Sequence, residues 1–261
     1  MNEAQMLLKD KVCVIAGAAS LRSIGYATAE LFVEHGAKVV VTDLMMDEQV
    51  LAGIRSSIES QLKRPVEIHG LRCDVSKADD CDQLVRQVLD LHGTIDCLVN
   101  SAGIVKSTPL LDIGAQELDL MFDVNLKGAF FLCQSVLRVF VERRAGTIVN
   151  VASLAAQRGG GLVGGPHYAA SKGGMLSLTR SIAREFGPMG IRANAICPAM
   201  IDTPMLDGLP ADRLSGIIDA IPLKRTGTRR EAAGACLFLA CELSGFVTGA
   251  TLDVNGGTHI H

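Results

Sequence analysis

Tryptophan is absent and tyrosine nearly so. The 261-residue chain holds no Trp, two Tyr and eight Phe. With so few phenols, Tyr26 and Tyr168 each call for a specific reason to be there. Charge of one sign is lacking too. The formal net charge is −3, which provides no electrostatic footprint for nucleic acid or an anionic membrane. No uninterrupted apolar run reaches the ~18 residues of a membrane span. The N-terminal stretch MNEAQMLLKDK lacks the apolar core of a signal peptide, so a cytoplasmic location is expected. The eight cysteines form no C-x-x-C and no zinc spacing. Most sit in apolar runs (VCVIAG, IDCLVN, FFLCQ), so they are expected to be buried reduced thiols, with no metal bound.

What is present is glycine, 27 of them, and a regular alternation of patterns. Apolar runs at 11–16, 37–42, 66–73, 95–100, 146–152, 191–197 and 250–254 read as strands. Helical spacing fills 24–35, 47–62, 77–92, 118–142, 167–187 and 229–244, with Gly36 closing the first helix and Asp47 capping the second. Alternating strand and helix means crossovers and a parallel sheet covered on both faces. No linker or repeat interrupts the alternation. The expected fold class is therefore α/β, one Rossmann-like doubly wound domain over 1–261 with about seven strands. A loop-rich insertion at 202–224, holding Pro204, Pro210 and Pro222, is expected to form a substrate lid.

Chemistry concentrates in a few places. Gly17 to Gly25 (GAASLRSIG) follows a strand and opens a helix, where backbone amides and a helix N-terminus can hold a pyrophosphate. Asp43 ends the second strand, placed to accept ribose hydroxyls and to repel a 2′-phosphate, which favours NAD over NADP. Asp74, after the third strand, is positioned for an adenine amino group. Tyr168 and Lys172 stand at i and i+4 and share a helix face. An ammonium beside a phenol favours phenolate, bringing its pKa toward the working range of a proton-transfer group. Ser153 precedes them at a strand end and can hold a substrate oxygen. Tyr26 reads as a packing residue, His167 as a helix-start residue, and His259 and His261 as a frayed C-terminus.

Together these segments resemble the short-chain dehydrogenase/reductases with subunits of this length, nearly end to end, from about Asp10 to Gly257. Asn100-Ser101-Ala102-Gly103 is similar to the family's N-N-A-G. Asn125 in DVNLKG, with Ser153, Tyr168 and Lys172, matches its catalytic positions. The resemblance implies that Asn125 holds a water in a proton relay through the lysine. Pro198 with Thr203-Pro204-Met205 and the closing Asp253-Val254-Asn255-Gly256-Gly257 match further motifs. The implied cofactor contacts are Gly17, Ser20, Arg22, Ser23, Ile24, Gly25, Asp43, Leu44, Asp74, Val75, Asn100, Ala102, Gly103, Tyr168, Lys172, Pro198, Ile201 and Thr203. A homotetramer on the helices around Leu126–Val141 and Tyr168–Phe186 is also implied.

The chain departs from that pattern in several ways. Ala16 replaces a threonine, Ala199 a glycine, and Ser23 the middle glycine. Seven residues separate Gly17 from Gly25, two more than in the motif resembled. The stretch AASLRSIGY is more like the enoyl-acyl-carrier-protein reductases, whose longer tyrosine–lysine spacing differs from the four here. Arg22 precedes the middle position, where NADP-preferring relatives often carry a base, and so conflicts with Asp43. Between Ser153 and Tyr168 the interval is 15, longer than usual, the excess falling in Arg158–Pro166. The expected activity interconverts a secondary alcohol of polyol, sugar or hydroxy-acid type and its ketone, with NAD preferred. The mixed lid residues Met205, Leu206 and Leu209 with Asp207, Asp212 and Arg213 suggest that part-polar substrate. The alternatives are a 3-oxoacyl-carrier-protein or acyl-CoA reductase using NADPH, for which no basic docking patch is evident in the lid, and a non-catalytic nucleotide-sensing protein.

Overall fold

The computed structural model describes residues 6–160, 163–207 and 210–260, without the side chains of 211 and 213. Leu209, the Arg213 side chain and His261 lie outside the described residues.

Seven strands form one parallel sheet: β1 (Val12–Ala16), β2 (Lys38–Asp43), β3 (Ile68–Arg72), β4 (Cys97–Asn100), β5 (Gly146–Val151), β6 (Ile191–Pro198) and β7 (Thr251–Val254). Their order is β3-β2-β1-β4-β5-β6-β7. Every residue of β1 and β4 is buried, as a sheet covered on both faces requires. The chain reverses its direction of travel between β1 and β4, so the carboxyl ends of those strands open a crevice.

One face carries α1 (Ile24–Glu34), α2 (Glu48–Leu62) and α9 (Arg229–Ala240). The other carries α3 (Ala78–His92), α5 (Gly128–Arg143) and α7 (Pro166–Phe186). Phe32 anchors the first layer and Phe140 the second, both fully buried, each worth roughly 1.5–3 kcal/mol of apolar burial. Local signals set the helix ends. Asp47 accepts from the Val50 amide to start α2, and Gly36 at φ +85° lets the chain leave α1. All eight cysteines are buried and free, as their apolar runs indicate.

Two segments show what the sequence reading left open, one helix or two at 118–142, or missed, a helix in the lid. The helical region expected at 118–142 is α4 (Ala115–Phe122), a π-helical turn at Asp123–Lys127, and then α5. The turn is held from the side, since both ends of the Asn125 amide are taken by the Ile104 backbone (2.8 and 2.9 Å). By length and composition Ala115–Arg143 could cross a membrane, but half of its most apolar window is buried within the fold, as in a core helix. The lid is less irregular than its prolines suggest. It contains α8 (Ala211–Ala220), and a bridge from Ile201 to Gly227 closes its base. Pro210 stands at the N-cap of α8 and therefore starts the helix rather than breaking it.

Candidate active site

A cleft of about 1180 Å³ opens above the carboxyl ends of β1, β2, β4, β5 and β6. One end is built from the glycine loop. Gly17 has φ +80°, and a β-carbon there would lie 2.6 Å from the Ser101 and Ala102 backbones. A β-carbon on Gly25 would lie 2.4 Å from the Gly17 carbonyl. Only glycines allow the loop, the β4 turn and the start of α1 to close up this tightly. Ser23 caps α1 by accepting from the Tyr26 amide at 2.9 Å, and Ser20, Ser23 and Ile24 line the cleft. The cradle that results, a helix N-terminus beside an open strand end, has the shape and donors of a dinucleotide site. The two inserted residues do not spoil it.

Asp43 and Leu44 form the far wall, with Asp74 and Val75 beside them. The Asp43 carboxylate also accepts from the Ala19 and Met45 amides, both at 3.1 Å, tying the glycine loop to the end of β2. Asp74 Oδ1 accepts from the Ser76 hydroxyl at 2.7 Å. Ala102, Gly103, Pro198, Ile201 and Thr203 complete the wall toward the lid. The site residues fit a bound nicotinamide dinucleotide along this line.

Three expected cofactor contacts do not line the cleft. Gly25 acts through its close approach to Gly17. Asn100 is buried beneath the floor, where its amide meets Asn150 at 3.4 Å; Asn150 in turn donates to Thr179 at 3.0 Å. Arg22 turns away, because its guanidinium makes a two-point pair with Asp207 (2.8 and 2.9 Å) and stands 3.7 Å from Asp202. Arg22 is thus paired with the lid acids, while Asp43 faces the cleft.

Ser153, Tyr168 and Lys172 converge at the cleft floor. Tyr168 is 6% exposed, and burial raises its phenol above the ordinary value, while the Ser153 hydroxyl in hydrogen-bond contact pulls the other way. Lys172 donates to the Val151 carbonyl at 2.8 Å, and burial lowers its ammonium to about 8. The sequence argument placed the lysine as the group that lowers the phenol. In this structure burial is the largest influence on the phenol and raises it. Asn125 is fully buried and does not line the cleft. Its side chain is committed to Ile104 and, at 3.1 Å, to Ser171, which fixes the loop carrying Gly103.

The outer half of the cleft is mostly apolar, lined by Leu154, Ala155, Val163, Met200, Met205, Leu206, Ile217 and Ile221, with Arg158 and Thr258 at its edge. Sequence reasoning named Met205 and Leu206 but missed the others, because they come together from separate segments of the chain. Asp212 is exposed and outside this lining, and Asp207 is engaged with Arg22, so the lid's acids do not make a polar pocket. His167 is buried, its Nε2 3.2 Å from Glu117 in α4, and lies outside the cleft. Tyr26 is a packing residue whose hydroxyl meets Glu30 and Ser57 at 2.9 and 2.7 Å. Among the described residues no cluster of His, Cys, Asp or Glu could hold a metal.

Comparison with known proteins agrees with this geometry. The family described as "Enoyl-(Acyl carrier protein) reductase" matches residues 17–259. An uncharacterized short-chain type dehydrogenase/reductase of Sinorhizobium fredii is 43% identical over 258 residues, covering 98% of this chain and 100% of that one. A 3-oxoacyl-[acyl-carrier-protein] reductase of Thermotoga maritima is 36% identical, covering 97% and 99%. A (2S)-[(R)-hydroxy(phenyl)methyl]succinyl-CoA dehydrogenase subunit of Thauera aromatica is 35% identical, covering 97% and 98%. The crystal structure of gox2181 superposes with a TM-score of 0.90 at 30% identity over 99% of both chains.

Proposed function

We propose, from the premise that this chain belongs to the short-chain dehydrogenase/reductase family, that it is an oxidoreductase reducing a ketone on an apolar acyl chain of the 3-oxoacyl thioester kind, with NADH preferred. One observation carries the reading: Ser153, Tyr168 and Lys172 meet at the floor of a cleft whose outer half is mostly apolar. That lining favours an acyl chain over the polyol or sugar expected from lid composition, and the names of several relatives point the same way. The tyrosine–lysine spacing of four speaks against enoyl reduction. The reading includes a cytoplasmic homotetramer, supported by the half-exposed Leu120 and Phe130 on the α4–α5 segment.

In this reading the bound nicotinamide supplies hydride to the carbonyl carbon. The Ser153 hydroxyl and the Tyr168 hydroxyl grip the carbonyl oxygen, and Tyr168 delivers the proton. A buried phenol held above its ordinary pKa keeps that proton until oxyanion charge develops, which suits reduction. Lys172 stands behind it, its amine fixed on the Val151 carbonyl. Asp43 supports NADH over NADPH, since a carboxylate at the end of β2 repels a 2′-phosphate and Arg22 is turned away.

The test is Tyr168→Phe assayed with a 3-oxobutanoyl thioester. The expected loss in kcat is roughly 100- to 10,000-fold, with NADH affinity unchanged by calorimetry. Faster wild-type turnover of polyols or sugars than of 3-oxoacyl thioesters would return the substrate assignment to the polar class. Tight NADH binding without turnover of any alcohol or ketone would favour a nucleotide sensor.

A further inference from the structure

Among the described residues, four charged side chains line the cleft. Asp43 and Asp74 belong to the adenosine end and Lys172 to the floor. The fourth, Arg158, is exposed at the substrate end, beside Leu154, Ala155, Val163, Thr258 and the lid. It closes α6 (Ala155–Arg158), five residues after Ser153, and Gly159 at φ +83° then carries the chain away.

Arg158 is the opposite of Arg22. Among the described residues it has no ion pair; its one hydrogen bond goes from Nη1 to the Thr258 carbonyl at 3.2 Å. A guanidinium offers five N–H donors in a fork matched to carboxylate or phosphate. Four remain unspent at the rim of an apolar cleft. An unpaired cation there lowers the energy of a substrate that is apolar in the middle and anionic at its far end. Arg158 follows Ser153 by five residues, at the far end of α6, so an anion it receives lies beyond the ketone held at Ser153.

Resting on the reading of this cleft as a ketoreductase site, we infer that Arg158 determines specificity by receiving an anionic group at the distal end of the substrate. That group is either a carboxylate ending the acyl chain or a phosphate of the thioester carrier; the chemistry of recognition is the same.

Two matched pairs test it. The first is an acyl-chain oxo acid against its methyl ester. The second is 3-oxobutanoyl-CoA against the 3-oxobutanoyl thioester of N-acetylcysteamine, which lacks phosphates. The readout is the anionic-to-neutral ratio of kcat/KM in wild type, Arg158→Gln and Arg158→Lys. The ratio is expected to fall roughly 10- to 100-fold in Arg158→Gln and by less in Arg158→Lys. The pair that responds identifies the anion's source. A change under threefold in both pairs overturns the inference while leaving the ketoreductase reading intact. Should Arg158→Gln lose its cooperative melt, Arg158→Lys decides alone. If no pair turns over in wild type, the ketoreductase reading is what has failed. Calorimetry of hexanoate against hexanamide on the NADH complex then decides: a preference for hexanoate that Arg158→Gln abolishes upholds the assignment, and no preference overturns it.

Discussion

The two halves of the cleft are made differently. The cofactor half is built from strand ends and backbone, closed by glycines that nothing else can replace and anchored by buried amides such as Asn100, Asn125 and Asn150. The substrate half is built from side chains on α6, α8 and connecting loops, tethered at the surface by Arg22 and Asp207. Where atoms approach within contact distance of backbone, a substitution has nowhere to go. Where side chains face an open cleft, it has room. The first half is therefore rigid and chemically specified, and the second is the part in which specificity is free to vary.

The sharpest way to break this contrast is a matched pair of glycine substitutions. Gly17→Ala forces a β-carbon against backbone at 2.6 Å from a left-handed conformation and is expected to cost roughly 2–4 kcal/mol of unfolding free energy in urea. Gly216→Ala, in α8 with nothing within 4 Å, is expected to stabilise by about 0.4–1 kcal/mol. Equal effects would mean the halves are not built differently. Next comes Asp43→Asn. The NADH-to-NADPH ratio of kcat/KM should fall roughly 10- to 100-fold, as a charged hydrogen-bonding group is lost. An unchanged ratio would leave Asp43 as only the anchor of the Ala19 amide.

A pH series sharpens the burial side. The folded Lys172 loses its proton near 8, below its ordinary 10.5. Between those values the unfolded chain binds more protons, so this group's contribution to stability rises with pH. Tyr168, raised in the folded state, works the other way above its ordinary 10. In thermal melts the stability of Lys172→Met relative to wild type should be greatest near pH 7 and shrink toward pH 10. A constant difference would show that the lysine is not titrating against burial. The smallest effect belongs to Arg22→Ala. Both partners of its pair with Asp207 are about half exposed, so stability should change by less than about 1 kcal/mol. The ratio of NADH to NADPH use should stay within threefold; a larger shift would show Arg22 acting on the cofactor after all.

The contrast also explains what could be read in advance. The sheet and most helices were legible because strands buried on both faces must be continuous apolar runs, and caps such as Asp47 and Gly36 act within a few residues. Gly17, Ser153, Tyr168 and Lys172 were legible because close approach, strand-end position and helical spacing are local properties. Helix α8 was hidden by Pro210, which begins it. The lining Leu154, Ile217 and Ile221 carried no spacing signal, being brought together from separate segments. Arg158 appeared only as the first residue of the lengthened interval before Tyr168.

Sequence by itself determined the doubly wound sheet, the glycine loop and the tyrosine–lysine face, because periodicity, steric demand and short-range spacing are written along the chain. Only the tertiary structure decided which partner each charge takes. Arg22 found Asp207, 185 residues away, while Arg158 found only a carbonyl. It also decided that burial, rather than the neighbouring ammonium, sets the phenol of Tyr168. Electrostatic energy depends on distance and desolvation, and neither is defined until the chain has folded.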